Sequence, residues 1–234
     1  MPELWFILAA VAVLVALVVV WGVTRERKRD AEMALAGERL GLVYERDGRA
    51  LESEPFTRFS LFQEGRRKRF KNVLTGRVGG TADDESGGNE AIPKGIDVLL
   101  FDYRYVTGTH RHHQNHQATV AAFHVVGESL PELSLQPEGL LHKIGGLLGY
   151  QDIDFEEKPG FSWRYLLRGP QEDAIRRLFT PEVLEFFENR PGWCLEAGGD
   201  WIIVFKRGSR VQAVELAEFL KESFELCTML AIHF

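Results

Sequence analysis

From Leu4 to Val23 every side chain is apolar or Gly22, with no charge, no proline and no polar group. At about 1.5 Å rise per residue, roughly 20 such residues cover the ~30 Å hydrocarbon core of a bilayer. Trp5 and Trp21 stand near the two ends, where the indole ring favours the headgroup boundary. The pattern predicts one transmembrane helix over residues 1–23. The stretch that follows, residues 24–40, mixes charges with alanine, leucine and methionine, which predicts a helical juxtamembrane stalk stopped at Gly41.

Beyond residue 41 the periodicity shortens to that of strands. Residues 42–44 and 75–78 read as strands, and Asp47-Gly48 as a turn. Residues 96–107 and 117–126 alternate strongly and predict an antiparallel hairpin, with Phe101, Tyr103, Tyr105, Val120 and Phe123 as cross-strand partners. The prolines at 131 and 137 predict irregular chain, and 138–148 a helix interrupted by glycines. Residues 161–168 read as a strand, and Pro170 opens a helix running to Phe179. Thr180 and Pro181 have the character of an N-cap and first helical residue. A second hairpin is predicted about Gly198-Gly199-Asp200. A final helix over 211–230 places Leu216, Leu220, Phe224 and Cys227 on one face. Strands grouped as hairpins with helices between them predict an α+β domain with an antiparallel sheet and flanking helices, spanning 41–234. Residues 79–95, small, polar and acidic, predict a mobile loop within it.

Charge then fixes an expected topology. Arg25, Arg27, Lys28 and Arg29 flank the apolar run on one side, and no basic side chain precedes it. The positive-inside bias places the N-terminus outside and the domain in the cytoplasm of a single-pass protein of the inner (plasma) membrane. A cleaved signal peptide fits poorly, because the n-region lacks Lys or Arg and no small-residue cleavage site follows. The chain of 234 residues carries a net charge of −6, so the expected partners are the bilayer and a protein, and not nucleic acid. Cys194 and Cys227 match no zinc or redox spacing and read as core thiols.

Three chemistries remain open. His110, His112, His113 and His116 cluster in one hairpin tip, and neutral imidazoles ligate zinc, copper or nickel; a metal-binding or metal-sensing domain is therefore one alternative. Asp102 and Arg104 share a strand face, and Asp152, Asp154 and Glu156 alternate along another stretch; an unrecognised hydrolase built around Asp102, Arg104, Asp152 and Asp154 is a second. Arg66-Arg-Lys-Arg69 reads as a solvated turn and strand edge, with lipid headgroups as its alternative contact. No phosphate-binding loop, dinucleotide fingerprint, nucleophile elbow or zinc-protease helix is present, so no catalytic residue and no cofactor is assigned. The leading expectation is a membrane-anchored, non-enzymatic protein- or membrane-interaction module.

The span with its basic flank, Val98-Leu-Leu-Phe-Asp-Tyr-Arg-Tyr105, Tyr150-Gln-Asp-Ile-Asp-Phe155, Tyr165-Leu-Leu-Arg-Gly169 and Leu178-Phe-Thr-Pro181 carry a resemblance. In these the chain resembles a family of uncharacterised bacterial single-pass membrane proteins, each with an N-terminal span and a cytoplasmic domain. The resemblance implies architecture and location, and it transfers no catalytic residue.

Overall fold

The apolar run and the charged stretch after it form one unbroken helix, α1 (Pro2–Leu40), in the computed structural model, which describes residues 2–53, 55–79, 95–109, 112–127, 129–140 and 150–231. Its first half is exposed and contains a stretch long and apolar enough to cross a membrane. Its second half packs onto the domain. Arg29, Met33, Ala36 and Leu40 follow one another at spacings of four, three and four, which lines them up along a single stripe of the helix. The segment expected to stand off as a stalk is helical, yet this stripe lies against the sheet. The reason is local: Gly37 has no side chain, and a Cβ there would stand 2.6 Å from Leu74. Gly41, at φ +69°, ends the helix as the sequence suggests. Leu42 N–H donates to Gly37 O at 2.8 Å and Gly41 N–H to Glu38 O at 3.2 Å, the paired bonds of a Schellman cap.

Eight strands follow: β1 (Val43–Asp47), β2 (Arg66–Val78), β3 (Ile96–Gly108), β4 (His113–His124), β5 (Leu130–Pro137), β6 (Tyr165–Arg168), β7 (Trp193–Gly199) and β8 (Trp201–Lys206). They form one antiparallel sheet in the order β1-β2-β3-β4-β8-β7-β5-β6. The expected hairpin pairs Phe101 with Val120, Tyr103 with Ala118 and Val98 with Phe123.

Each face of the sheet is covered. On one lie α1, α4 (Glu172–Leu178), α5 (Pro181–Asn189) and α6 (Leu216–Ala231), enclosing the larger core around Val98, Leu100, Phe123, Phe187 and Leu216. On the other, residues 49–63, which include α2 (Ser60–Gln63), bring Phe56, Phe59 and Phe62 onto Phe70, Phe101 and Tyr103. Alternation along β3 sends Leu100 to the α1 face and Phe101 to the aromatic one. Asp102 and Arg104 therefore face α1.

The structure departs from expectation elsewhere as well. Residues 130–137 are strand β5, paired on both sides, with the register shifting between Leu130 and Leu133 where Pro131 has no N–H to give. Residues 152–156 join no strand; Ile153 and Phe155 are buried, and Ile153 N–H reaches Leu167 O at 2.8 Å. The region 161–168 splits into α3 (Pro159–Ser162) and the short β6. Residues 80–94 of the expected loop over 79–95 and residues 141–148 of the expected helix over 138–148 lie outside the described residues.

Candidate functional site

The strongest concentration of charge lies where α1 crosses β3. Arg29 donates from Nε to Asp102 Oδ2 at 3.0 Å and from Nη2 to Oδ1 at 2.9 Å. Their side chains are 7% and 2% exposed. Such a fork is the geometry in which a guanidinium binds a carboxylate best. Asn72 Nδ2 donates to Oδ2 at 3.1 Å, Thr119 Oγ1 to Oδ1 at 3.0 Å, and Arg210 Nη1 approaches Oδ2 at 3.5 Å. Asn72 occupies a bulge of β2 at φ +54°, and its amide oxygen accepts from Tyr44 Oη at 2.9 Å. Three separate elements, α1, β2 and β4, and the chain after β8 thus converge on one buried carboxylate of β3.

One helical turn nearer the apolar half, Glu26 accepts from Arg104 Nη2 at 2.5 Å and from Arg210 Nη2 at 3.2 Å. Burial works against the charge of Glu26, but the hydrogen bonds and charges of Arg104 and Arg210 outweigh it and hold its carboxyl below the ordinary value. Asp102 and Arg104 share a strand face as expected; Asp102 finds its partners in Arg29 of α1 and in Arg210, and Arg104 finds its partner in Glu26 of α1.

The sequence places Arg29 among membrane-flanking charges, with Arg25, Arg27 and Lys28. Arg29 is instead buried against the sheet, while the other three remain exposed. The residues that sequence reasoning missed are Glu26, Asn72, Thr119 and Arg210. One signal pointed to them: Asp102 sits in the inward phase of an apolar strand, and a buried charge there requires partners.

A second buried ion pair lies behind the aromatic face. Arg207 donates from Nη2 to Glu64 Oε1 at 2.8 Å and from Nη1 to Oε2 at 2.9 Å; Tyr105 Oη donates to Oε2 at 2.9 Å. Burial and the charge of Glu64 keep the Tyr105 phenol well above its usual value, against the pull of Arg207. Near it, Glu196 is buried and accepts from Ser60 Oγ at 2.7 Å and Leu61 N–H at 3.2 Å.

The described histidines do not assemble. His116 stacks on Tyr105 with ring centroids 4.7 Å apart, and its Nε2 lies 2.7 Å from Thr107 Oγ1. His113 lies three positions away on β4, so the two side chains leave opposite faces. His112 is exposed, and His110 lies outside the described residues. Among the described residues no group of three His, Cys, Asp or Glu side chains could hold a metal ion. Nor do the hydrolase residues meet. Asp152 accepts from Leu167 N–H at 2.8 Å beside β6, and β4, β8, β7 and β5 separate that edge from Asp102 on β3.

Fold and site together define an antiparallel α+β domain carried on a single apolar N-terminal helix. No protein-family model and no curated protein matches the chain. Among solved structures the chain is similar to the crystal structure of the mycobacterial trehalose monomycolate transport factor A, TtfA, with a TM-score of 0.56 and 15% identity over 86% of this chain and 95% of that one. At that identity the likeness is one of fold.

Proposed function

We propose that the chain is a membrane-anchored, non-enzymatic accessory module of a lipid-transport process, acting through contacts with a membrane protein and the bilayer surface. In this reading residues 4–23 span the inner membrane, the N-terminus is outside and the domain is cytoplasmic. The observation that carries it is the continuity of α1, whose polar half is clamped to the sheet by Arg29–Asp102 and Glu26–Arg104. Such a clamp sets a folded domain at a fixed place beside the membrane, which suits a scaffold. The fold likeness to a transport factor supports an accessory role, and the basic flank supports the orientation.

Two measurements test the reading. Reporter fusions at each terminus should show an exported N-terminus and a cytoplasmic C-terminus; the reverse pattern overturns the topology. Affinity purification of the full chain from detergent-solubilised membranes should repeatedly return one integral membrane protein. Recovery of nothing above the background of an unrelated anchored domain counts against the accessory role.

A further inference from the structure

A cleft of about 630 Å³ opens beside the clamp, between the end of the apolar run and strands β2, β3 and β4. Arg25, Arg67, Arg69, Arg104 and Arg210 line it, and Glu26 is its single carboxylate. A smaller recess of about 130 Å³ continues it inward to Asp102 past Arg69, Arg104 and Arg210. Glu26 and Asp102 are engaged with Arg29, Arg104 and Arg210. Arg67 and Arg69 have no acidic partner among the described residues.

Two details make this more than a solvated basic surface. Arg69 and Arg104 are register partners on neighbouring antiparallel strands. Like charges directly opposite one another in a sheet are destabilising; Glu26 answers Arg104, and an anion at Arg69 would offset what is left. In addition, β2 bulges between Arg66 and Arg69, and Arg67 takes φ +54° there. That conformation is uncommon for a residue with a side chain, and a bulge re-aims the side chain it carries.

The position of the cleft selects the ligand. Passing along α1 toward its apolar half, Arg29 meets Asp102, then Glu26 meets Arg104, and Trp21 shares the cleft with Val106 and His116. The β3–β4 hairpin therefore runs toward the bilayer beside the emerging helix, and the cleft opens at the level of Trp21, an interfacial residue. Arg66 Nη1 donates to Gly108 O at 2.6 Å and ties the rim to that hairpin.

We infer that this arginine cleft binds the phosphate of an anionic phospholipid headgroup at the membrane surface. The phosphate sits against Arg69, next to the Glu26-bound Arg104, with Arg67 and Arg25 at the mouth. This assignment rests on the anchoring of α1 proposed above, and it names a ligand that anchoring alone does not require.

The test uses the full chain, purified in a neutral detergent, with lipid retention read by native mass spectrometry. Short-chain phosphatidylglycerol, phosphatidylcholine of the same chain length and inorganic phosphate are titrated separately. Phosphatidylglycerol should bind at least tenfold more tightly than phosphatidylcholine. The R67E/R69E variant should lose most of that preference, about tenfold or more, since each basic group at a membrane surface contributes appreciably. R67K/R69K should retain it in part. Both arginines are exposed and outside the buried clamp, and an unchanged melting temperature in the variants checks that the fold survives. Equal retention of the two lipids overturns the proposal, and so does a preference that R67E/R69E leaves intact. Inorganic phosphate that competes as well as phosphatidylglycerol overturns the lipid assignment, marking the cleft as a site for soluble phosphate. Membrane fractionation of the same variants separates the two readings: a chain that remains in the membrane yet ignores headgroup charge fails here and leaves the anchor standing.

Discussion

Arg29 and Asp102, 73 positions apart in the chain, form a two-pronged buried ion pair that joins the N-terminal helix to the third strand. Removing one partner of such a pair strands the other charge in the interior, at a cost of about 3–5 kcal/mol. Arg29→Met is therefore expected to lower the thermal midpoint of the full chain in detergent by about 6–20 °C. Arg29→Lys should fall between the two, because an ammonium group cannot make both bonds of the fork. A shift of less than a degree for Arg29→Met would show that the pair contributes nothing to stability.

Glu196 gives stability an unusual pH dependence. Burial pushes its carboxyl up to about 7, against the hydrogen bonds from Ser60 and Leu61 that favour the charged form. Released from the fold it ionises near the ordinary glutamate value of 4.5. Between these two values the folded protein holds a proton that the unfolded chain has given up, so this group's contribution falls as pH rises and is fully lost above about 7. The loss amounts to at most about 3 kcal/mol. Glu196→Gln keeps an oxygen for Ser60 and Leu61 and removes the ionisation. It is expected to match the parent near pH 4.5 and to be the more stable protein at pH 8, as read by urea titration at the two pH values. An unchanged difference between the two pH values would assign the slope to other groups.

Gly41 ends α1 at φ +69°, in the left-handed region. A Cβ there meets nothing within 4 Å, so the cost of Gly41→Ala is conformational alone, about 1–2 kcal/mol. Circular dichroism should show retained helix content with a modestly lower midpoint. A neutral or stabilising result would mean that the cap relaxes to another turn.

Cys194 and Cys227 lie in different cores on opposite sides of the sheet, so no disulfide joins them within the folded chain. Burial pushes both thiols up to about 12. Neither should react with iodoacetamide at pH 8 in the native protein, and both should react once denaturant is added. Native labelling of either one, read by peptide mass spectrometry, would show that its side of the sheet opens.

The elements legible in the sequence are those held by local pattern. The β3–β4 hairpin follows from alternation, the end of α1 from Gly41, and the last helix from its apolar face. Strand β5 was hidden because prolines at 131 and 137 argue against a paired strand, and a register shift beside Pro131 accommodates the first. The clamp was hidden for a different reason. Arg29 has the sequence context of a topology signal, and nothing near it in the chain announces Asp102. A charge in the inward phase of β3 shows that a partner exists, and only the packing of α1 across that strand shows which one it is.

The unbroken course of α1 through the clamp has a mechanical consequence. A helix advances about 100° per residue, so with residues 4–23 in the bilayer as proposed, the number of residues between the apolar run and Arg29 would set the compass direction in which the domain faces around the membrane normal. One residue inserted after Thr24 would swing the whole domain by about that angle and raise it by only about 1.5 Å, whereas seven would bring it back to within about 20° of its original heading. The chain has a keyed shaft in place of a swivel, and the membrane protein proposed as its partner would have to approach from one side.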